Sequence, residues 1–149
     1  MPEYNEKRHA CTSLLIWDAE GESPDGEWTP VLWQEFVSSE QPDAVSIPAL
    51  IETNADLLKK RYLAWVYELG ETSIQGKRLV EHLQLRPGFS YWWMTLFAEK
   101  CNYSKSKQID DAIRLMAFDK WATNQSISRV VLSTANQSLA ECIRLWCKD

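Results

Sequence analysis

Glycine is scarce in this chain, with five in 149 residues, and none sits in a phosphate-cradling loop. The turn Ser133-Thr134-Ala135-Asn136, which leads from a strand pattern straight into a helix pattern, contains none at all. Dinucleotide-binding and P-loop fingerprints are therefore excluded, and no cofactor is expected. Histidine is limited to His9 and His82, and Cys11, Cys101, Cys142 and Cys147 show no CxxC spacing. That argues against a zinc site, so no metal is expected, and reduced, mostly buried thiols are the expectation. Long apolar runs are missing too: nothing approaches the roughly 18 to 20 residues of a membrane-spanning helix. Residues 1–10 are polar, carry acids and lack the apolar centre of a signal peptide, so they are expected to fray and the protein to be cytoplasmic. The glycosylation-like triplets at Asn102, Asn124 and Asn136 then carry little weight. Basic excess is lacking as well. Sixteen Lys and Arg face twenty-one Asp and Glu, a net charge of -5 that argues against a nucleic-acid partner. The short clusters Lys59-Lys60-Arg61 and Lys77-Arg78 read as solvated helix faces.

Tryptophan, by contrast, is abundant, with eight residues. A broad apolar body with one polar edge suits cores, interfaces and sugar-stacking clefts alike, the core being the first expectation. The densest aromatic run is Tyr91-Trp92-Trp93-Met94-Thr95-Leu96-Phe97-Ala98-Glu99-Lys100. Pro87-Gly88 stops whatever precedes it, and Ser90 is placed to cap a helix. As a helix, the run puts 92, 93, 96 and 97 on one face; as a strand, 91, 93, 95 and 97. The Met, Leu, Ala, Glu and Lys that follow the aromatics favour the helix.

Along the chain, Thr12-Ser13-Leu14-Leu15-Ile16-Trp17 reads as a strand buried on both faces. It ends at Asp18, ahead of an acid-rich turn region, residues 19–27. An acid at the carboxyl end of a sheet strand is where open α/β folds place ligands; alternatively, Asp18 only begins a turn. Residues 29–37, with Pro30 near the start, predict a short helix with Leu32, Trp33 and Phe36 on one face. Ser46 then caps a long helical pattern through Ile47, Leu50, Ile51, Leu58, Tyr62, Trp65 and Leu69, closed by Gly70 as the residue beyond the helix. A short helix follows at 77–83 with Leu79, Val80 and Leu83 inward and His82 on the polar side. Ile109, Ala112, Ile113, Met116, Ala117 and Trp121 mark another helix. Residues 129–133 form a β-branched strand, and Asn136 caps a last helix burying Leu139, Ile143, Trp146 and Cys147. That helix either closes a small α/β domain or leads on into a longer protein. The fold class expected is α/β, helix-rich, a small parallel sheet with flanking helices containing 12–17 and 129–133, residues 11–149 forming one domain.

One constellation offers chemistry: the aromatic wall Tyr91, Trp92 and Trp93 with Glu99, Lys100 and Asn102, followed by Ser104-Lys105-Ser106-Lys107. Glu99 at the edge of the wall suits a general base toward a sugar hydroxyl, the wall a pyranose ring, and the lysines a phosphate. The plainer alternative packs the aromatics in the core and pairs Glu99 with a nearby cation.

Tyr91-Trp92-Trp93-Met94-Thr95-Leu96, then Glu99-Lys100, a short Ser/Lys loop, an amphipathic helix and a strand-helix unit resemble bacterial surface-carbohydrate (O-antigen-type) biosynthesis proteins that are glycosyltransferase-like. The match runs from the strand ending in Trp17-Asp18 to the end of the chain and is most specific over residues 90–100. It covers the amino-terminal part of a family member. The resemblance implies a Rossmann-like amino-terminal domain ahead of a second, nucleotide-sugar-binding one that this chain does not include. It implies a glycosyltransferase in full-length form, with a sugar acceptor or nucleotide-sugar as partner and the isolated domain inactive. Peripheral association with a membrane stays compatible with it. Asp18 and Glu99 are the catalytic candidates, and Tyr91, Trp92, Trp93, Lys100 and Asn102 the substrate-binding ones. A non-catalytic interaction domain that docks a partner on exposed tryptophans is the competing expectation.

Overall fold

The computed structural model describes residues 12–95, 97–98 and 106–148. Its elements, in chain order, are β1 (Thr12–Asp18), β2 (Thr29–Leu32), β3 (Val45–Ser46), α1 (Ile47–Thr53), α2 (Ala55–Glu71), β4 (Ser73–Ile74), β5 (Lys77–Arg78) and α3 (Leu79–His82). Then come β6 (Gln84–Arg86), β7 (Phe89–Ser90), a 3-10 turn (Tyr91–Met94), α4 (Lys107–Ala122), β8 (Ile127–Thr134) and α5 (Gln137–Trp146). The chain divides into two compact units, one up to Leu50 and from Phe118 onward, the other Ile51–Ala117.

The first unit is built on a parallel sheet of order β3-β2-β1-β8 with helices flanking it, an α/β arrangement. Thr12–Asp18 and Ile127–Thr134 do pair in one sheet, with Asp18 in register with Thr134. Leu14, Leu15 and Ile16 are buried in succession, which requires cover on both faces of β1. Asn136 caps α5 as expected, its side chain accepting from Leu139 N at 3.3 Å, and Leu139 and Ile143 face inward. Cys147 is exposed, as is Cys142, so the expectation of buried thiols fails for both. Burial nonetheless raises the pKa of the Cys147 thiol. Phe118 organises the aromatic core here. Its ring centroid lies 4.9 Å from Trp146, 6.1 Å from Trp121 and 6.4 Å from Trp33. Trp146 Nε1 donates to Asp119 Oδ1 at 2.9 Å, so the half-buried indole keeps its polar contact.

The helix expected over residues 29–37 is instead strand β2 and a following loop. Pro30 misled the reading because it suits a helix start equally well. Trp33 N donates to Trp17 O at 2.9 Å, so amides 31 and 33 turn toward β1 and position 30 turns toward β3. Pairing with β3 begins only at Val31, so the missing Pro30 amide costs the sheet nothing. Phe36, expected inward, is exposed.

In the second unit, α2 buries Leu58, Tyr62, Val66 and Gly70, a stripe at four-residue spacing. The long helix expected from Ser46 is broken at Asn54 into α1 and α2; Ser46 Oγ does accept from Ala49 N at 3.2 Å. Gly70 is not beyond the helix but inside it, and Thr72 is the cap. The short helix at 77–83 shrinks to α3, because Lys77 and Arg78 pair with β4 in a hairpin. Leu79, Val80 and Leu83 pack inward as expected, and His82 is exposed, with Nε2 2.7 Å from the accepting Ile74 carbonyl. Where a helix was expected to begin, residues Tyr91–Met94 form a 3-10 turn. Ser90 caps it by accepting from Trp92 N, and Thr95 closes it by donating from N and Oγ1 to Trp92 O. Trp92 alone is buried there; Tyr91, Trp93 and Met94 are exposed, which corrects the common face expected for 92 and 93. Tyr62 Oη donates to Phe97 O at 2.9 Å, and Trp65 and Trp92 pack on the Phe97 ring.

Candidate functional site at the carboxyl edge of the sheet

Chain order makes the β1–β8 junction special. From β1 the sheet grows one way through β2 and β3, and then the chain returns to add β8 on the other side of β1. In open parallel sheets, such a reversal leaves a crevice at the carboxyl ends of the two strands. Asp18 ends β1 there and Thr134 ends β8.

Asp18 is 8% exposed, and its two oxygens accept from different elements. Oδ1 accepts from Gln34 Nε2, just after β2, and Oδ2 accepts from Thr134 Oγ1 at 2.5 Å. Thr134 Oγ1 in turn accepts from Asn136 N at 2.9 Å, which links the carboxylate to the start of α5. Both donors are neutral, and among the described residues no Lys or Arg pairs with Asp18. Each carboxylate oxygen keeps one lone pair for a further donor.

The connections before and after β2 are anionic. Glu20, Glu22, Asp25, Glu27, Glu35, Glu40 and Asp43 lie between β1 and β3, and residues 19–46 contain no Lys, Arg or His. The Glu22 carboxyl is held above its ordinary range, first by the hydrogen bond its protonated form donates to Glu40 and then by the Glu40 charge. These loops are stapled together: Gln41 Nε2 donates to Ser23 O and Oγ, each at 3.0 Å. Two indoles shape the first loop, Trp17 Nε1 donating to Gly21 O at 2.8 Å and Trp28 Nε1 to Pro24 O at 3.1 Å. Gly26 is required beneath Trp28, since a Cβ there would stand 2.3 Å from the indole. Among the described residues no group of three or more His, Cys, Asp or Glu is arranged to hold a metal ion.

Of the residues singled out from sequence, Asp18 thus stands at the strand-order reversal with two partners. Tyr91 and Trp93 lie on the surface of the second unit and Trp92 in its core, so Trp92 is not available to a ligand. Glu99, Lys100 and Asn102 fall outside the described residues. Gln34 and Thr134 were missed. Thr134 is 116 residues from Asp18 in sequence, and only the strand register brings them together. Gln34 was hidden in the mistaken helix.

Compared with protein-family models, curated proteins and solved structures, the chain matches none. No helix among the described residues is long and apolar enough to cross a membrane.

Proposed function

We propose that this chain is the amino-terminal, acceptor-side part of a glycosyltransferase-like protein of bacterial surface-carbohydrate biosynthesis, built on a Rossmann-like sheet. The observation that carries the reading is Asp18: a buried carboxylate, held among the described residues by neutral donors, at the point where a parallel sheet reverses its strand order. Such a group accepts a proton or a hydrogen bond from a sugar hydroxyl. The acid-rich connections of residues 19–46 support the acceptor over the donor, because a nucleotide diphosphate would meet like charge on them. The strand order supports a Rossmann-like sheet, although the β1–β2 and β2–β3 connections are loops where a doubly wound fold carries helices. Glu99 and Lys100, from the segment most like the carbohydrate family, belong to the same reading.

The test is complementation by the full-length protein in a deletion strain. Asp18→Asn keeps the shape and removes the charge; its amide oxygen can still accept from Gln34, and its NH2 can donate to the Thr134 hydroxyl, which turns to accept. It should lower polymer assembly by about 100-fold or more, the scale of a lost general base, with the melting temperature nearly unchanged. Full complementation by Asp18→Asn removes the carboxylate from the chemistry and leaves it a tie between strand ends. Glu99→Gln is expected to behave in the same way. The interaction-domain reading draws on the exposed aromatics of the second unit and expects both variants to complement.

A further inference from the structure

Seven of the eight tryptophans are buried or half-buried, and Trp93 is the one that is exposed. It does not lie alone. Its ring packs on Tyr67 with centroids 6.4 Å apart and planes 28° from parallel, and the two side chains are 48% and 57% exposed. Near-parallel rings at that separation are offset rather than superposed, so together they spread a continuous aromatic surface. Both are held by rigid elements. Tyr67 stands on α2, and Trp93 on the 3-10 turn, fixed by the buried Trp92 beside it and by the Ser90 cap. Neither the Tyr67 hydroxyl nor the Trp93 indole N–H has a hydrogen-bond partner among the described residues, so both polar tips are free.

The surroundings choose between ligands. Glu71 lies four residues beyond Tyr67, one helical turn along the same face of α2. Its Oε2 accepts from Arg78 Nη1 at 2.8 Å, and the Arg78 guanidinium also binds Glu81 at 2.9 Å. Aromatic surface beside ordered carboxylates matches a molecule with C–H faces and hydroxyl donors. A nucleobase would stack as well, but its phosphates need an excess of cations, and this chain carries a net charge of -5. We propose that Tyr67 and Trp93 form a stacking platform for a neutral pyranose, with Glu71 receiving sugar hydroxyls at its edge. The platform is a different site from Asp18 and stands in the other unit.

The experiment uses the whole chain with 15N-labelled indoles. Chitotetraose, maltotetraose and cellotetraose are the neutral probes, and tetragalacturonate is the anionic one. Saturable shifts of the Trp93 indole resonance with a neutral probe, at affinities in the millimolar range, are expected. Tetragalacturonate should give none. Trp93→Ala and Tyr67→Ala should each weaken binding at least about 10-fold while the melting temperature holds, since both side chains are exposed. Absence of a Trp93 shift with all three neutral probes overturns the proposal, as does binding that survives both substitutions. Sedimentation showing a self-associated chain that Trp93→Ala dissociates also overturns it, in favour of a protein interface. A complementing Asp18→Asn variant would not touch this result, so the two readings fail separately.

Discussion

Gly70 lies in the last turn of α2, where an added Cβ would stand 2.7 Å from Trp92 Nε1 and 3.0 Å from Val80 Cγ1. The glycine is there for close approach, not to end the helix. Gly70→Ala gains about 1 kcal/mol of helix propensity. Overpacking against an indole that is itself buried costs about 1–3 kcal/mol. A lower urea midpoint with an unchanged slope is therefore expected; a raised midpoint would mean that Trp92 moves aside freely. Trp92 Nε1 is buried without a partner among the described residues, so this contact already carries a polar cost that the surrounding rings must offset. Charge acts at the same scale in the connections around β2. Glu22 has a raised pKa, so its contribution to stability is present below the ordinary Glu range and is lost as pH rises through the raised value. Glu81 behaves oppositely: the Arg78 amide and guanidinium lower its pKa, and its contribution is lost as pH falls through the lowered value. Glu40→Gln should bring the Glu22 midpoint down in a carboxyl 13C titration and raise stability at neutral pH. The gain should shrink in high salt, because both groups are exposed. A Glu22 midpoint that does not move would assign the shift to the Asp25 charge instead.

Elements were legible where a periodic pattern was long enough to be read. β1, β8, α4 and α5 each present at least seven residues of consistent patterning, and their ends are marked by Asp18, Asn136 and polar turns. The two-residue strands β4, β5 and β7 are shorter than any period. They are fixed instead by their turns. Gln75 and Gly76 both have positive φ, 51° and 81°, the signature of a type I′ hairpin, but Gln-Gly is a weaker signal than Asn-Gly. Pro87-Gly88, with Gly88 at φ 76°, was legible as a stop because both residues are specified by the turn. Tyr91–Met94 departs from the helix that its amino acids suit because the Ser90 and Thr95 hydroxyls bond the backbone of a single turn. Gln75→Asn should stabilise the β4–β5 hairpin by a few tenths of a kcal/mol, since Asn tolerates the left-handed region better. Gly76→Ala should destabilise it by about 1 kcal/mol through backbone strain. No atom lies within 4 Å of the position an added Cβ would take at Gly76, so packing makes no contribution. Thermal melts of the two variants moving in the same direction would contradict the turn assignment.

At the scale of the molecule, the chain leaves the first unit after Leu50, builds the second from Ile51 to Ala117, and returns at Phe118. The excursion explains why the candidate site was only half visible. Asp18 is a local signal at a strand end, but its partner Thr134 arrives after the whole second unit has been threaded. It also separates two aromatic cores, Trp33 with Phe118 and Trp146 in one, Tyr62 and Trp92 with Phe97 in the other. Trp92→Ala should remove about 3–5 kcal/mol of packing from the second core alone. If each unit holds itself together, native-state hydrogen exchange will show α2 amides losing protection by a corresponding factor while β1 and β8 amides keep theirs. Equal loss in α2, β1 and β8 would instead make the chain one cooperative body. The hydrogen bonds at Asp18 would then share in any loss of stability caused by damage to the aromatic turn, although Trp92 and Asp18 belong to different units.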